Sequence, residues 1–233
     1  MIWSLLPYNK HSDDGFGAMA DTFENNAHIL LKHPEESFSG VELPACYLLR
    51  HACELYLKSL LIVTHRFLLN EGETYPTIII KDGKKPQSIT RIHDLKILYD
   101  ELEKVLIDNS ENLAKSCKTE WLPMPEELNN AINKINKLDE GSFFFRYPST
   151  IKKDENKIKS KNKNISTEGL INWNTERKGY IKAFLILNEN DEVIDSFNYE
   201  KEILRQEIEY LKLACKWLSS FHVGLRMELA NGY

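Results

Sequence analysis

Apolar residues recur at three- and four-residue steps over much of this chain, the spacing of helices with one buried face. Phe16, Met19, Phe23, Ala27 and Leu30 predict a first helix over 14–32, stopped ahead of Pro34. A second is predicted over 43–69, with Pro44 in its first turn, where the missing N–H costs nothing. Tyr47, Leu48, Leu55, Leu60, Leu61 and Ile62 put apolar groups round most of its surface, which makes it the expected central helix. Ile92, Leu95, Leu98, Leu102 and Leu106 predict a third helix over 91–107. Leu128, Ile132, Ile135 and Leu138, opened by Pro125-Glu126-Glu127, predict a fourth over 125–138. Ile203, Ile208, Leu211, Leu218 and Leu225 predict a long closing helix over 199–229.

Between these stretches the pattern changes. The β-branched run Thr77 to Ile80, followed by Asp82-Gly83, predicts a strand entering a tight hairpin turn. Asn109 to Lys118 is polar and reads as a loop. SFFFRYPST is aromatic and extended, because Pro148 pushes Tyr147 toward the β region. The lysine- and asparagine-rich stretch at about 151–166 reads as a mobile loop, and Tyr180 to Leu187 as a strand running into a polar turn. The expected architecture is one mainly α domain spanning 1–233, a bundle of about five helices with a small β-hairpin decoration. Its core is expected between the second, third and last helices.

The second helix raises the chemical question. Leu48 to Leu61 reads LLRHACELYLKSLL, and Arg50, Glu54 and Lys58 fall at every fourth position, along one side. The row is either a solvated ladder of ion pairs or a buried polar network, and its flanks are apolar. His51 sits beside it, a position where packing and hydrogen bonding are commoner than chemistry. His93 and Asp94 stand at the mouth of the third helix: Asp94 suits the positive end of the dipole, which would also keep a histidine there neutral and basic. Arg146, among four aromatics that include Tyr147, is expected to reach inward to Glu54 or Asp139. Glu54 is expected to point inward and bond Arg146 or the His93 end of the third helix.

Composition narrows the classes. The chain has 233 residues, 42% hydrophobic and 28% charged, with a formal net charge of −5, so no global attraction to nucleic acid exists. The lysine-rich stretch Lys152 to Lys163 is the one basic concentration; on RNA it would supply nonspecific phosphate contacts. Cys46, Cys53, Cys117 and Cys215 lack metal-ligand spacing, and Cys46 and Cys53 lie a heptad apart on an apolar stripe. Reduced thiols, a cytoplasmic location and no membrane association follow as expectations, since no apolar run approaches a membrane span. Neither a Gly-rich phosphate loop, nor H-E-x-x-H, nor a nucleotidyltransferase G-S motif occurs, so no metal and no cofactor is expected.

With the helices placed, RHACELYLKSLLI and IHDLKILYDEL stand together as an A-x-E-x-x-L-K-x-L-L helix followed by H-D-L-x-x-L. This pair resembles the HEPN family over roughly Leu43 to Leu106, and FFFRYP with the long closing helix resembles stand-alone bacterial members. The resemblance implies a bundle of four to five helices, often dimeric. It implies an RNA-associated protein of bacterial defence or toxin type, since many members are metal-independent ribonucleases of toxin–antitoxin or phage-defence systems. Their signature, R-x4-6-H near the start of the last helix, is absent: Arg205 has no histidine at that spacing, and His222 lies far beyond. The resemblance strengthens a site role for His93, and beside it the residues themselves offer Arg50, Arg146 and His51 as catalytic candidates, with Glu54, Lys58, Asp94, Asp139 and Tyr147 as binding or network residues. It also implies a second class of role, a non-catalytic module that binds a nucleotide or partners a nucleotidyltransferase or antitoxin. A homodimer is expected, because the second and last helices carry more apolar positions than one interior requires.

Overall fold

The structure is a computed structural model, and it describes residues 6–33, 40–80, 85–149, 156–166 and 183–232. The described residues are mainly helical, with six α-helices and two small antiparallel sheets. They divide into two compact units, 1–146 with 206–233, and 147–205.

In the first unit, α1 (Phe16–Lys32) and α2 (Glu42–Val63) form the closest helix pair. The innermost positions of α1 are the small ones, Gly17, Ala20 and Ala27, which let the two backbones approach. The larger residues of the expected stripe lie to one side. Met19, Phe23 and Leu30, with Ile29 and Leu48, line a shallow apolar groove of about 400 Å³. Tyr56 on α2 clasps α1 by donating to Asp21 at 2.6 Å and lying 2.8 Å from Glu24. α2 is the central helix: every residue from Ala52 to Val63 is buried. Its apolar surplus is therefore consumed inside this chain. It ends in a wider π-turn, Thr64–Leu68.

β1 (Thr77–Ile78) and β2 (Gln87–Ser88) form an antiparallel pair in the register Thr77↔Ser88 and Ile78↔Gln87. The expected turn at Asp82-Gly83 lies outside the described residues. α3 (Leu95–Asp108) starts later than expected, after a 3-10 turn at Ile89–Arg91. Asp94 sets that start by accepting the Ile97 N–H at 3.0 Å, a capping bond that ends the preceding extended backbone. The expected loop over 109–118 holds instead a short helix, α4 (Ser110–Ser116), because Leu113 finds a buried site. α5 (Glu126–Leu138) buries Leu128, Ala131, Ile132 and Ile135, the i, i+3, i+4, i+7 set of one face.

The closing helix α6 (Arg205–Leu229) starts six residues later than expected. Alternation in Val193 to Tyr199 makes a strand there, and Leu204 at φ 53° precedes the helix. In the first unit, α6 meets α2 at Cys53 and Cys215, whose sulfurs lie 3.4 Å apart as free thiols. In the second unit, the described part of the expected loop holds a 3-10 turn at Lys157–Lys159 and β3 (Asn162–Asn164). β3, β5 (Val193–Tyr199) and β4 (Ala183–Leu187) make an antiparallel sheet with β5 central. No helix of the described residues is long and apolar enough to cross a membrane.

Candidate functional site

α2 presents Arg50, Glu54 and Lys58 one turn apart, and two neighbouring elements complete the group. The start of α3 supplies His93, and the end of α5 supplies Asp139. Lys58 Nζ donates to Glu54 Oε1 at 2.7 Å, and Arg50 Nη1 donates to Glu54 Oε2. Arg50 Nε donates to Asp139 Oδ2 at 2.9 Å, while Nη2 donates to the His93 carbonyl. The side chains of Arg50, Glu54, Lys58 and Asp139 are 1–4% exposed. The buried-network reading of the row is the correct one, and the solvated ladder is excluded.

Two cations and two carboxylates buried together neutralise one another, which is how such charges are tolerated in an interior. The two carboxylates respond differently. Burial pushes Glu54 upward, but the charges of Arg50 and Lys58, with hydrogen bonds from Lys58 and His93, hold it below the ordinary glutamate value. At Asp139 burial wins over Arg50, the Phe144 N–H and Arg146, and its carboxyl lies above the ordinary aspartate value.

His93 is the exposed end of the network. Its Nδ1 lies 2.9 Å from Glu54 Oε1, on a side chain that is 47% exposed. A carboxylate held ionised only accepts, so Nδ1 carries the proton and Nε2 is the lone-pair nitrogen of the neutral ring. A fixed tautomer on a half-exposed ring is an arrangement suited to taking a proton from a bound group. Asp94, besides capping α3, lies 3.5 Å from Asn136 Nδ2 on α5.

Arg146 departs from expectation. Asp139 accepts the Phe144 N–H at 2.6 Å, so the turn after α5 wraps on that carboxyl and buries Phe144 and Phe145. Arg146 is left exposed, donating to Ser142 Oγ at 3.3 Å, and both partners expected for it, Glu54 and Asp139, are bonded to Arg50. Arg146→Ala is accordingly expected to unfold in urea within about 1 kcal/mol of the parent, as exposed charges do. His51 packs edge-on against Phe23, with ring centroids 4.6 Å apart, and stacks on Tyr47 at 6.1 Å. Burial, then Arg50, Lys58 and Arg146 against Glu54, hold it below the ordinary histidine value. It is a packed histidine, outside the hydrogen-bonded group. Tyr147 belongs to the second unit, where its carbonyl accepts from Lys159 Nζ at 2.9 Å.

A second buried group was not expected from the sequence. Ser59 Oγ donates to Asp13 Oδ2 at 2.5 Å and lies 2.8 Å from His222 Nδ1. Asp13 also accepts the N–H groups of Gly15 at 3.0 Å and Gly17 at 2.7 Å, which ties down the start of α1. Because the one hydroxyl proton goes to Asp13, His222 Nδ1 must donate to Ser59 Oγ. The serine is thus no base-activated nucleophile, and all three side chains are sealed from solvent. The Asp13-Asp14-Gly15 turn ahead of a helix was a legible capping signal. His222, 163 positions from Ser59, carried none.

Among the described residues no group of three His, Cys, Asp or Glu side chains could hold a metal ion. Comparison with known proteins finds no family model, no curated protein and no solved structure that matches the chain.

Proposed function

We propose that this chain is a HEPN-like, RNA-associated protein of bacterial defence or toxin type, with a non-standard metal-independent ribonuclease site centred on His93. The observation that carries this reading is the Glu54–His93 pair, which fixes a proton-accepting nitrogen on a half-exposed ring at the mouth of a helix. The quoted helix phrases and the mainly helical fold support it. In this reading Nε2 of His93 takes the proton of a ribose 2′-hydroxyl as its oxygen attacks the adjacent phosphorus. The bond to the 5′-oxygen breaks, and water supplies the proton to that leaving group. In this reading Arg146, exposed on the turn after α5, is the candidate cation for phosphate charge. Four buried free thiols suit a reducing cytoplasm.

The test is cleavage of a single-stranded RNA oligonucleotide by the full chain in excess chelator. His93→Gln should lower the rate by roughly 10²-fold or more, the usual contribution of a general base, with an unchanged unfolding midpoint. An active His93→Gln variant would overturn the assignment.

The mutual neutralisation of Arg50, Lys58, Glu54 and Asp139 favours a second reading. A closed network of this kind locks α2, α3 and α5 together and serves a non-catalytic module equally well. That module would bind a nucleotide, or partner a nucleotidyltransferase or antitoxin. A parent chain that binds the oligonucleotide without cleaving it would select this reading.

A further inference from the structure

The second unit carries an unusual edge. β4 reads Ala-Phe-Leu-Ile-Leu, and Phe184, Leu185, Ile186 and Leu187 are 53%, 53%, 49% and 48% exposed. Successive strand residues point to opposite faces, so β4 exposes apolar side chains on both. Val193 and Ile194 at the start of β5 extend the patch. Among the described residues β4 is a sheet edge, with β5 on its one side. Edge strands of natural sheets are ordinarily blunted by charge, proline or a bulge; β4 carries neither charge nor proline, and its ladder with β5 keeps register from Ala183 to Ile186, shifting only between Ile186 and Leu187. The opposite edge, β3, is Asn-Lys-Asn and is guarded in that way.

We propose that β4 is the docking strand for a second copy of this chain, the two β4 strands pairing antiparallel about a two-fold axis at Leu185. Two three-stranded sheets then become one continuous sheet. Pairing about Leu185 sets that residue against its own copy and Phe184 against Ile186, so apolar meets apolar at each central position. The charges at the two ends of the sheet agree with this direction and oppose the parallel one. β4 runs into the acidic turn Asn188 to Glu192, which holds Glu189, Asp191 and Glu192. At the sheet's other end, Lys163 shares a row with Asn198 and Ala183, and Lys157, Lys161 and Lys201 lie nearby against Glu200 and Glu202. An antiparallel two-fold brings each copy's acidic turn to the Ala183 end of the other's β4, with Lys163 two strands further along the same row, twice per pair. A parallel pairing would set turn against turn and lysine against lysine. Of the two described edges of this sheet, β4 alone is apolar and β3 is guarded, so association through the sheet closes at two copies rather than growing into a fibre.

The experiment uses the full chain in light scattering and sedimentation across concentrations from about 1 to about 100 µM, where mass action displays a reversible dimer. The parent should pass from monomer to dimer. The double variant Leu185→Lys with Ile186→Lys should weaken association at least tenfold while leaving helical signal and unfolding midpoint unchanged. Charge reversal of the turn, Glu189→Lys with Glu192→Lys, should weaken it less and lose its effect at high salt. Leu185→Cys places an exposed thiol on the proposed axis, the four native thiols being buried, and mild oxidation should cross-link it into a covalent dimer. A parent that stays monomeric over the whole range overturns the proposal. So does a dimer that survives the double lysine variant without cross-linking through position 185, since another surface would then hold it. Binding of the monomer to vesicles of mixed phosphatidylcholine and phosphatidylserine, in place of self-association, also overturns it.

Discussion

Glu54→Ala is expected to cost on the order of 3–5 kcal/mol of unfolding free energy, the range for removing one member of a buried ion-pair network. The physical cause is what remains. Lys58, buried on α2, loses the carboxylate that accepts its ammonium at 2.7 Å, and Arg50 keeps only Asp139 as an anionic partner. Two buried cations would then face one carboxylate. A solvent-exposed i,i+4 ladder would lose well under about 1 kcal/mol on the same change, so the two arrangements are separated by several times the error of a urea titration. Glu54→Gln, which keeps shape and acceptor but not charge, should fall between parent and alanine variant. The acid limb gives an independent check. Glu54 has a folded-state value below its ordinary 4.5, so its contribution is present above that pH and is lost as pH falls through the lower folded value. The glutamine variant should lack that part of the acid loss. Alanine and glutamine variants that both unfold within error of the parent would mean that the row carries no uncompensated charge, against the geometry.

What was legible in the sequence follows from whether the cause is local. The row Arg50, Glu54, Lys58 is a matter of helix period, and its apolar flanks pointed inward correctly. His93 was found because Asp94 caps the helix that begins beside it. The partner of Arg146 was misread because Arg50 takes both carboxyls expected for it, Glu54 and Asp139. Asp139 goes to Arg50, which reaches it from the rigid central helix, while the turn that Asp139 itself organises carries Arg146 outward. Periodicity likewise located α1, α3 and α5, each with a single buried face, and the length of the apolar pattern located α2, which is buried all round from Ala52 to Val63. It overran at α6, where the apolar residues of β5 merged with the helical pattern behind them. It passed over α4, whose seven residues hold one buried leucine, too few for a period to show. The Asp13, Ser59, His222 group depends on three elements meeting, and no spacing along the chain encodes that.

That same hidden group sets the second large effect. Stability is expected to fall by on the order of 3 kcal/mol as pH drops from about 6.5 to about 4, through His222. Burial, opposed by the charge of Asp13 and aided by those of Arg226 and His11, holds this imidazole down to about 4 from an ordinary 6.5. Between those two values the unfolded chain binds a proton that the folded chain refuses, so stability rises with pH in that window and is lost on acidification. Below about 4 both states are protonated and this contribution levels off. The geometry gives the reason for the refusal: Ser59 Oγ takes the Nδ1 proton, and the ring fills the space over Gly17, where an added Cβ would come within 2.0 Å of Cε1. His51, also held down, acts in the same direction, whereas Asp21 and Asp139, both held up, oppose the loss. The comparison that isolates His222 is the slope of unfolding free energy against pH for the parent and His222→Gln, rather than their absolute stabilities. The glutamine variant, whatever its starting stability, should show a markedly flatter slope between about 4 and 6.5. Equal slopes would mean that the folded protein accepts the proton at His222 as readily as the unfolded chain, and that the ring is not sealed between Ser59 and Gly17.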